Sequence, residues 1–344
     1  GFARGSFAQA PELVEFNKKL SEIAKTNTAI MENLEYLSDV IGPRLTGSAR
    51  MKHANDWTAT KMREYGLTDV HLESWTIPVG WERGRVNARV VGSAGHRLMM
   101  ELSAWTPGTR GSVTGPVVYF DAKSDNSDID RFAGKLKNAW LLMARPSQVN
   151  HHPSRSRDGD IWSRRLGGTD EAHDRALSSE ELQRQNARDD FLKKEGIAGV
   201  FVDSGKPQGL ISMTGGWRAD GKQPPYGRYF VANESYTLLW RLLQRTEPVN
   251  IQVNADAKWI KGPITVYNTV GEIRGTEKPD EVVICGAHLD SWELASGTVD
   301  NGTGSMVVLE AARLLKAMGV KPKRTLRFVL FSGEEQGLYG SREY

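Results

Sequence analysis

The stretches EVVICGAHLD at residues 281–290, GSMVVLEAARLLKAMG at 304–319 and TLRFVLFSGEE at 325–335 decide the fold. The first and the third are short, nearly continuous apolar runs, which are typical of strands buried in a parallel sheet. The middle stretch repeats its apolar residues at three- and four-residue spacing, which indicates a helix. Strand, helix and strand in this order predict a right-handed parallel crossover of the α/β type.

The rest of the chain extends this pattern. Residues 11–66 have the apolar spacing of helices, with Ser48 as the N-cap of the third, and Ile264–Ile273 has the composition of another strand. From about Gly111 short apolar strands alternate with polar segments. We predict an α/β fold with a mixed, largely parallel sheet flanked by helices and with an inserted β-rich domain. The expected parts are 1–110 and 261–344 for the main domain and 111–260 for the insertion.

Composition excludes several classes of protein. The 344 residues are 39% hydrophobic and 25% charged, as in an ordinary globular protein. The net charge of +3 is small, so neither nucleic acid nor an acidic membrane is an expected partner. The sequence contains no run of 18 apolar residues, so it predicts no membrane span. The single cysteine, Cys285, excludes an internal disulfide framework, and its apolar neighbours predict a buried small hydrophobe.

Two other segments each have two interpretations. Ala8-Gln9-Ala10 before Pro11 has the small-x-small form of a signal-peptidase site, so we expect a secreted or periplasmic protein; the alternative is a disordered terminus. The stretch 150–190 is dense in charges and contains three histidines that could bind metal, although a solvated surface is the favoured interpretation. These histidines are His151, His152 and His173.

Polar side chains collect where the two strands of the crossover end. His288 and Asp290 end the first strand, Asp300 lies in the loop before the helix, and Glu334 and Glu335 follow the second strand. The carboxyl ends of strands in open α/β sheets are where ligands bind, so these five side chains are expected along one edge. Imidazole with carboxylates is a ligand set suited to zinc.

Each of these residues alone has an ordinary explanation. A single histidine is more often a core residue, Asp300 would be a helix N-cap, and an acidic pair would be a solvated surface. Their joint placement at consecutive element boundaries favours a metal site. His288 and Asp290 are two apart on a strand and share a face, so Asp290 can accept the second N–H of the imidazole.

The segments that carry these residues resemble a known family. VVICGAHLDSWELASGTVDNGTGSMVVLEAARLL and KRTLRFVLFSGEEQGLYGS are similar to the co-catalytic zinc exopeptidases that include carboxypeptidase Q, glutamate carboxypeptidase and bacterial di-zinc aminopeptidases. YLSDVIGPRLTGSARMKHANDW at 36–57 resembles the amino-terminal region of the carboxypeptidase Q-like members. The insertion resembles the protease-associated domain that many of them carry, and the segment 150–190 matches nothing in the family.

The resemblance implies the roles of the residues. His288 would bind one zinc, Glu335 the other, and Asp300 would bridge both, with Asp290 supporting His288. Glu334 would be the general base toward a water activated by the two zinc ions. The expected activity is hydrolysis of the terminal bonds of short peptides, by an aminopeptidase or, as the alternative, by a carboxypeptidase Q-like dipeptidase or carboxypeptidase.

The family pattern also requires one more Asp and one more His, which do not occur before Tyr344. We therefore expect the 344-residue chain by itself to bind zinc weakly, to be inactive and to expose an apolar sheet edge.

Two rival functions remain within the same fold. One is a receptor-like relative without catalysis, which the occupied ligand positions disfavour. The other is glutaminyl cyclase, a one-zinc acyltransferase, which the acidic pair and the insertion disfavour. Unrelated chemistry has no support, because the sequence contains no GxSxG, HExxH or GxxxxGK[ST] motif.

Overall fold

A computed structural model describes residues 11–92, 95–149, 178–211, 214–245 and 248–344. Within it the chain divides into two compact units, one formed by Gly1–Gly80 with Ile260–Tyr344 and the other by Trp81–Trp259. The Ala8-Gln9-Ala10 triplet and the histidines His151, His152 and His173 lie outside the described residues, so what was predicted for them stays a prediction.

The first unit begins with three helices, α1 (Pro11–Thr26), α2 (Ile30–Glu35) and α3 (Ala49–Glu64), and a π-helical turn extends α2. Ser48 caps α3 as predicted, since its hydroxyl accepts a hydrogen bond from the main-chain N of Met51 at 3.1 Å.

The sheet of the first unit is built from four strands and one crossover helix. These are β1 (Thr68–Val90), β7 (Asn250–Ile273), β8 (Lys278–His288), α6 (Thr303–Ala317) and β9 (Arg324–Phe331). β7 pairs with β1 and runs antiparallel to β9, and β9 runs parallel to β8. The predicted strand, helix and parallel strand are therefore confirmed.

β1 and β7 are each one long strand, with Gly80 inside β1 and Gly262 inside β7. A Cβ at Gly80 would come within 3.2 Å of the Ile260 Cβ, and one at Gly262 within 1.9 Å of the Pro78 carbonyl oxygen. The two glycines therefore allow close approach of neighbouring strands rather than ending them.

A single apolar cluster fixes α6 against the helices and the sheet of the first unit. Leu37, Met62, Met306, Leu309 and Phe328 belong to it and are at most 2% exposed. Each such side chain contributes about 1.5–3 kcal/mol through burial, so the ends of β8 and β9 are held on a well-packed base.

β8 corrects two predictions. Its apolar run was predicted as a buried strand, but Val282, Val283 and Ile284 are 38%, 49% and 51% exposed. Cys285, predicted as buried, is exposed too. The physical reason is position, because β8 is the last strand of the sheet and pairs, among the described strands, with β9 alone.

The second unit is also an α/β structure. Its strands are β2 (Met100–Leu102), β3 (Val113–Tyr119), β4 (Trp140–Leu142), β5 (Gly199–Asp203) and β6 (Gly227–Val231), and its helices are α4 (Ser179–Glu195) and α5 (Asn233–Leu243). The order is β2-β6-β5-β4-β3-β7, with parallel pairs from β3 to β6 and antiparallel pairs at both ends.

This second unit starts earlier than the insertion expected at 111–260. β2 lies before that boundary and pairs with β6. The sequence did not predict this pairing. The α/β class with a mixed sheet flanked by helices is confirmed, whereas the likeness to a protease-associated domain stays a prediction. None of the described helices has the length and hydropathy that crossing a membrane requires.

Candidate metal centre

His288, the last residue of β8, is oriented by main-chain contacts. Its Nδ1 donates a hydrogen bond to the main-chain oxygen of Asp290 at 3.1 Å, and the carboxylate Oδ1 of Asp290 lies at 3.5 Å. The Ser305 hydroxyl donates to the His288 main-chain oxygen at 2.7 Å. Asp290 thus lies behind His288 as expected, but the shorter contact is with its carbonyl. Because a carbonyl only accepts, the hydrogen is on Nδ1, and Nε2 is available as a metal ligand.

The Nε2 side of His288 faces carboxylates. Asp300 Oδ1 lies 3.2 Å away and Glu334 Oε2 3.7 Å away. His288, Asp300 and Glu335 each offer one ligand atom, and these atoms all lie within 4.8 Å of one another. The three predicted metal ligands are therefore brought together. A carboxylate oxygen and an imidazole nitrogen at such distances require a proton or a cation between them.

The ligands come from three chain segments that converge at the ends of β8 and β9. Asp300 lies in the loop that precedes α6 and has an extended backbone (φ −114°, ψ 101°), and its side chain is 76% exposed. Glu334 and Glu335 follow β9, and their main-chain N–H groups donate to Oδ1 and Oδ2 of Asp290 at 3.3 and 3.2 Å. Asp290, which is fully buried, therefore links the end of β8 to the acidic pair.

The electrostatics of the cluster reflect crowding of negative charge. Burial alone would lower the pKa of His288, but the hydrogen bond and charge of Asp290 and the charges of both glutamates raise it. Burial raises the pKa of Glu335, and the nearby charges of Asp300 and Asp290 act in the same direction. A cation among these groups would replace the protons that they otherwise retain.

The donor set fits zinc. One imidazole nitrogen with carboxylate oxygens, and an imidazole whose other nitrogen is already hydrogen-bonded, are the usual features of a zinc site. The arrangement can therefore hold a cation and place a further carboxylate, Glu334, beside it.

Two residues that touch this centre were not singled out in the sequence. Arg44 and Thr46 lie within the segment that resembles the amino-terminal region of the family, but no role was assigned to either. Both are buried, and both contact residues about 245 positions later in the chain. A charged residue in the short connection between two helices, at residues 42–48, is a sequence signal that could have pointed to Arg44.

Comparisons of sequence show that the chain is similar to peptidases. Residues 268–344 match the model of peptidase family M28. Proteins named carboxypeptidase Q from Xenopus laevis and Mus musculus are 29% and 28% identical to this chain and match 93% and 94% of it. The chain spans 62% and 63% of the length of these relatives.

Solved structures of peptidases are also similar to the chain. A peptidase M28 precursor from Shewanella amazonensis SB2B is similar with a TM-score of 0.70 and 26% identity, over 96% of this chain and 69% of that one. BSAP, a zinc aminopeptidase from Bacillus subtilis, has a TM-score of 0.58 and 22% identity over 92% of this chain and 63% of that one, which shows the shared fold. The resemblance to zinc exopeptidases is thereby confirmed.

Proposed function

Because the chain is a relative of the M28 peptidases, we propose that the protein is a zinc-dependent exopeptidase that hydrolyses the terminal bonds of short peptides. The observation that carries the proposal is the convergence of His288, Asp300 and Glu335, with ligand atoms within 4.8 Å of one another, at the carboxyl ends of β8 and β9. That edge of an α/β sheet is where substrates bind.

The residues of the centre have distinct tasks. His288, Asp300 and Glu335 would hold the metal, and Asp300, whose side chain is 76% exposed, would be the ligand that two zinc ions share. When bound, zinc lowers the pKa of a water molecule and polarises the carbonyl of the scissile bond. Asp290 maintains the His288 tautomer through its main-chain oxygen.

Glu334 is the proposed general base. Its Oε2 lies 3.7 Å from His288 Nε2, so the carboxylate borders the metal position while Glu335 supplies the ligand. Glu334 takes a proton from the attacking water and then donates it to the departing amine. Its main-chain N–H donates a hydrogen bond to the carboxylate of Asp290, and this contact fixes the position of Glu334 after the end of β9.

Two kinds of exopeptidase are candidates, which differ in the end of the peptide that they cleave. The first is an aminopeptidase, as expected from the sequence. The second is a carboxypeptidase or dipeptidase, and a specific observation favours it: two sequence relatives that match more than nine tenths of the chain are named carboxypeptidase Q.

The test uses the full-length protein, meaning the product of its whole coding sequence. Metal content is measured first, and hydrolysis is then followed with a free-amino nitroanilide, an amino-blocked peptide with a free carboxylate, and an unblocked dipeptide. We expect bound zinc, and hydrolysis that a chelator stops and added zinc restores.

Cleavage of the amino-blocked peptide indicates a carboxypeptidase, and cleavage of the nitroanilide indicates an aminopeptidase. A zinc protein that instead converts amino-terminal glutamine to pyroglutamate would be a cyclase. A protein that takes up no zinc, or whose hydrolysis survives the chelator, contradicts the proposal.

A further inference from the structure

A fully buried arginine lies under the loop that separates two of the proposed metal ligands. The Arg44 guanidinium donates to four main-chain oxygens. The acceptors are Leu289 (2.7 Å), Gly42 (2.9 Å), Ser296 (2.8 Å) and Gly297 (2.8 Å). One planar group therefore joins both ends of the loop over 289–297.

The two loop ends lead directly to metal ligands. Leu289 follows His288, and Gly297 begins the turn that contains Asp300. The main chain of Arg44 also exchanges hydrogen bonds with Ser291, donating to its Oγ at 3.1 Å and accepting from its N–H at 3.2 Å. A shift of Arg44 would consequently change the distance between His288 and Asp300.

Gly297 shows how closely the loop packs on the guanidinium. Its φ of +61° is in the left-handed region, and a Cβ there would lie 2.4 Å from the Ser291 Cβ and 2.9 Å from Arg44 Nη2. There is no space for a side chain, so glycine permits this contact.

Arg44 is an unusual residue to bury for stability alone. The described hydrogen bonds of its guanidinium are all to carbonyl oxygens, and a buried charge is costly unless it is fully hydrogen-bonded. Burial lowers the pKa of Arg44 to about 10, although the charges of Asp290 and Glu335 oppose this, so the group stays protonated at neutral pH. An apolar side chain could fill the volume, but it could not hold four carbonyls in one plane.

Thr46 makes a second link from the same segment. Its Oγ1 donates to Asp290 Oδ2 at 3.0 Å and accepts from the main-chain N of Gly333 at 3.0 Å. Gly333 immediately precedes Glu334, and Asp290 accepts from the N–H groups of both glutamates. Thr46 therefore connects the residue behind His288 to the segment that carries the acidic pair.

We propose that the segment Gly42–Thr46 positions the metal centre, with Arg44 setting the separation of His288 and Asp300, and Thr46 setting that of Asp290 and the acidic pair. This proposal rests on the proposed function, because it takes His288, Asp300 and Glu335 as metal ligands. Arg44 and Thr46 are positioning residues and not ligands.

The test compares Arg44→Lys with the wild-type full-length protein, using Co²⁺ as a spectroscopic probe. Lysine keeps the charge but lacks the planar fork, so it cannot reach all four carbonyls. We expect a Co²⁺ affinity about 10–100-fold weaker, as is typical when an outer contact of a metal site is lost. We also expect altered d–d absorption bands and faster amide exchange over 289–297.

The matched control is Arg313→Lys. Arg313 is another arginine of the first unit with little exposure, it pairs with the buried Glu310 at 2.8 Å, and it lies near the far end of α6. We expect this variant to unfold at a lower temperature while its Co²⁺ affinity and spectrum remain those of the wild type.

Thr46→Val and Thr46→Ser provide a second comparison should Arg44→Lys fail to fold. Valine removes the hydroxyl at nearly constant shape, so Co²⁺ affinity should fall, and serine retains the hydroxyl and should restore it.

If the variants lose stability but keep wild-type Co²⁺ affinity and d–d bands, the role is structural only and the positioning proposal is overturned while the proposed function stands. A wild-type protein that takes up no Co²⁺ overturns the proposed function and, with it, the positioning proposal.

Discussion

The Nε2 atom of His288 lies 3.2 Å from Oδ1 of Asp300, although a loop separates the two residues in the chain. The histidine ends a strand and the aspartate precedes a helix, so the first turn of a crossover brings them together. The third group, Glu335, arrives from the end of the next strand. A cation held by these three side chains would bind together the elements of the crossover, and its removal should leave protons in its place.

Loss of His288 should abolish tight metal binding. We expect His288→Gln to weaken zinc binding by the full-length protein more than about 100-fold, which exceeds the effect of losing an outer contact. The control is His71→Gln, because His71 is a histidine of the same unit with an exposed side chain. Titration calorimetry measures both affinities, and equal zinc affinities of the two variants would exclude His288 as a ligand.

Glu334 and Glu335 should respond differently to the same substitution. Glu334→Gln should keep zinc and reduce hydrolysis about 10²–10⁴-fold, which is the usual effect of removing a general base. Glu335→Gln should lose zinc, because an amide is a much weaker ligand than a carboxylate. Metal analysis and turnover on the same preparations separate the two outcomes. If Glu334→Gln loses zinc and Glu335→Gln keeps it, then Glu334 is the metal ligand and Glu335 the general base, contrary to the proposal.

The buried pair of Glu310 and Arg313 should make stability depend on pH. Burial would raise the pKa of Glu310, but hydrogen bonds from Arg313 and Thr28 lower it below its usual value. Because the folded pKa is the lower one, the stabilisation is complete above the unfolded pKa, about 4.3, and is lost as the pH falls through the folded pKa.

Glu310→Gln should therefore be less stable than the wild type by about 1–2 kcal/mol at pH 7, and the difference should vanish in acid. Urea unfolding across the pH range measures it. The control is Glu277→Gln, whose ion pair with Lys323 is exposed on both sides, and which should change stability by less than about 0.5 kcal/mol. A difference for Glu310→Gln that persists in acid would mean that its charge is not the cause.

The exposed apolar side chains of β8 should promote self-association of the 344-residue chain. Val283 and Ile284 are 49% and 51% exposed on the last strand of the sheet, where unpaired main-chain groups can also pair with another copy. Light scattering should show oligomers that dissociate in Ile284→Lys. Met31→Lys, at a residue 58% exposed on a helix, should leave them unchanged. Monomers at high concentration would show that the edge is protected.

Zinc held by His288, Asp300 and Glu335 alone should bind weakly and support no hydrolysis. Across the part of the chain that the structure describes, the potential metal cluster comprises His288, Asp300 and Glu335, and this is too few side chains to complete the coordination of two ions. Calorimetry and an aminoacyl-nitroanilide assay check this. Two tightly bound zinc ions, or measurable turnover, would contradict it.

The candidate site could be read from the sequence because its residues follow local patterns. His288, Asp300 and Glu335 each lie at the end of an element that apolar periodicity identifies, and ends of parallel strands share an edge. The exposure of β8 could not be read in this way. An apolar run predicts a strand, but whether its faces are covered depends on neighbours elsewhere in the fold.

By itself, the sequence determined the order of strand, helix and strand and the set of side chains at their ends, since these depend on short apolar runs and on the helical period of 3.6 residues. The tertiary structure alone decided the environment of that set. Arg44 reaches Leu289 across 245 positions of sequence, and Thr46 reaches Asp290 across 244. No local pattern encodes such contacts. Burial of a guanidinium or a hydroxyl is favourable only when acceptors from distant parts of the chain, here main-chain and carboxylate oxygens, accept its hydrogen bonds.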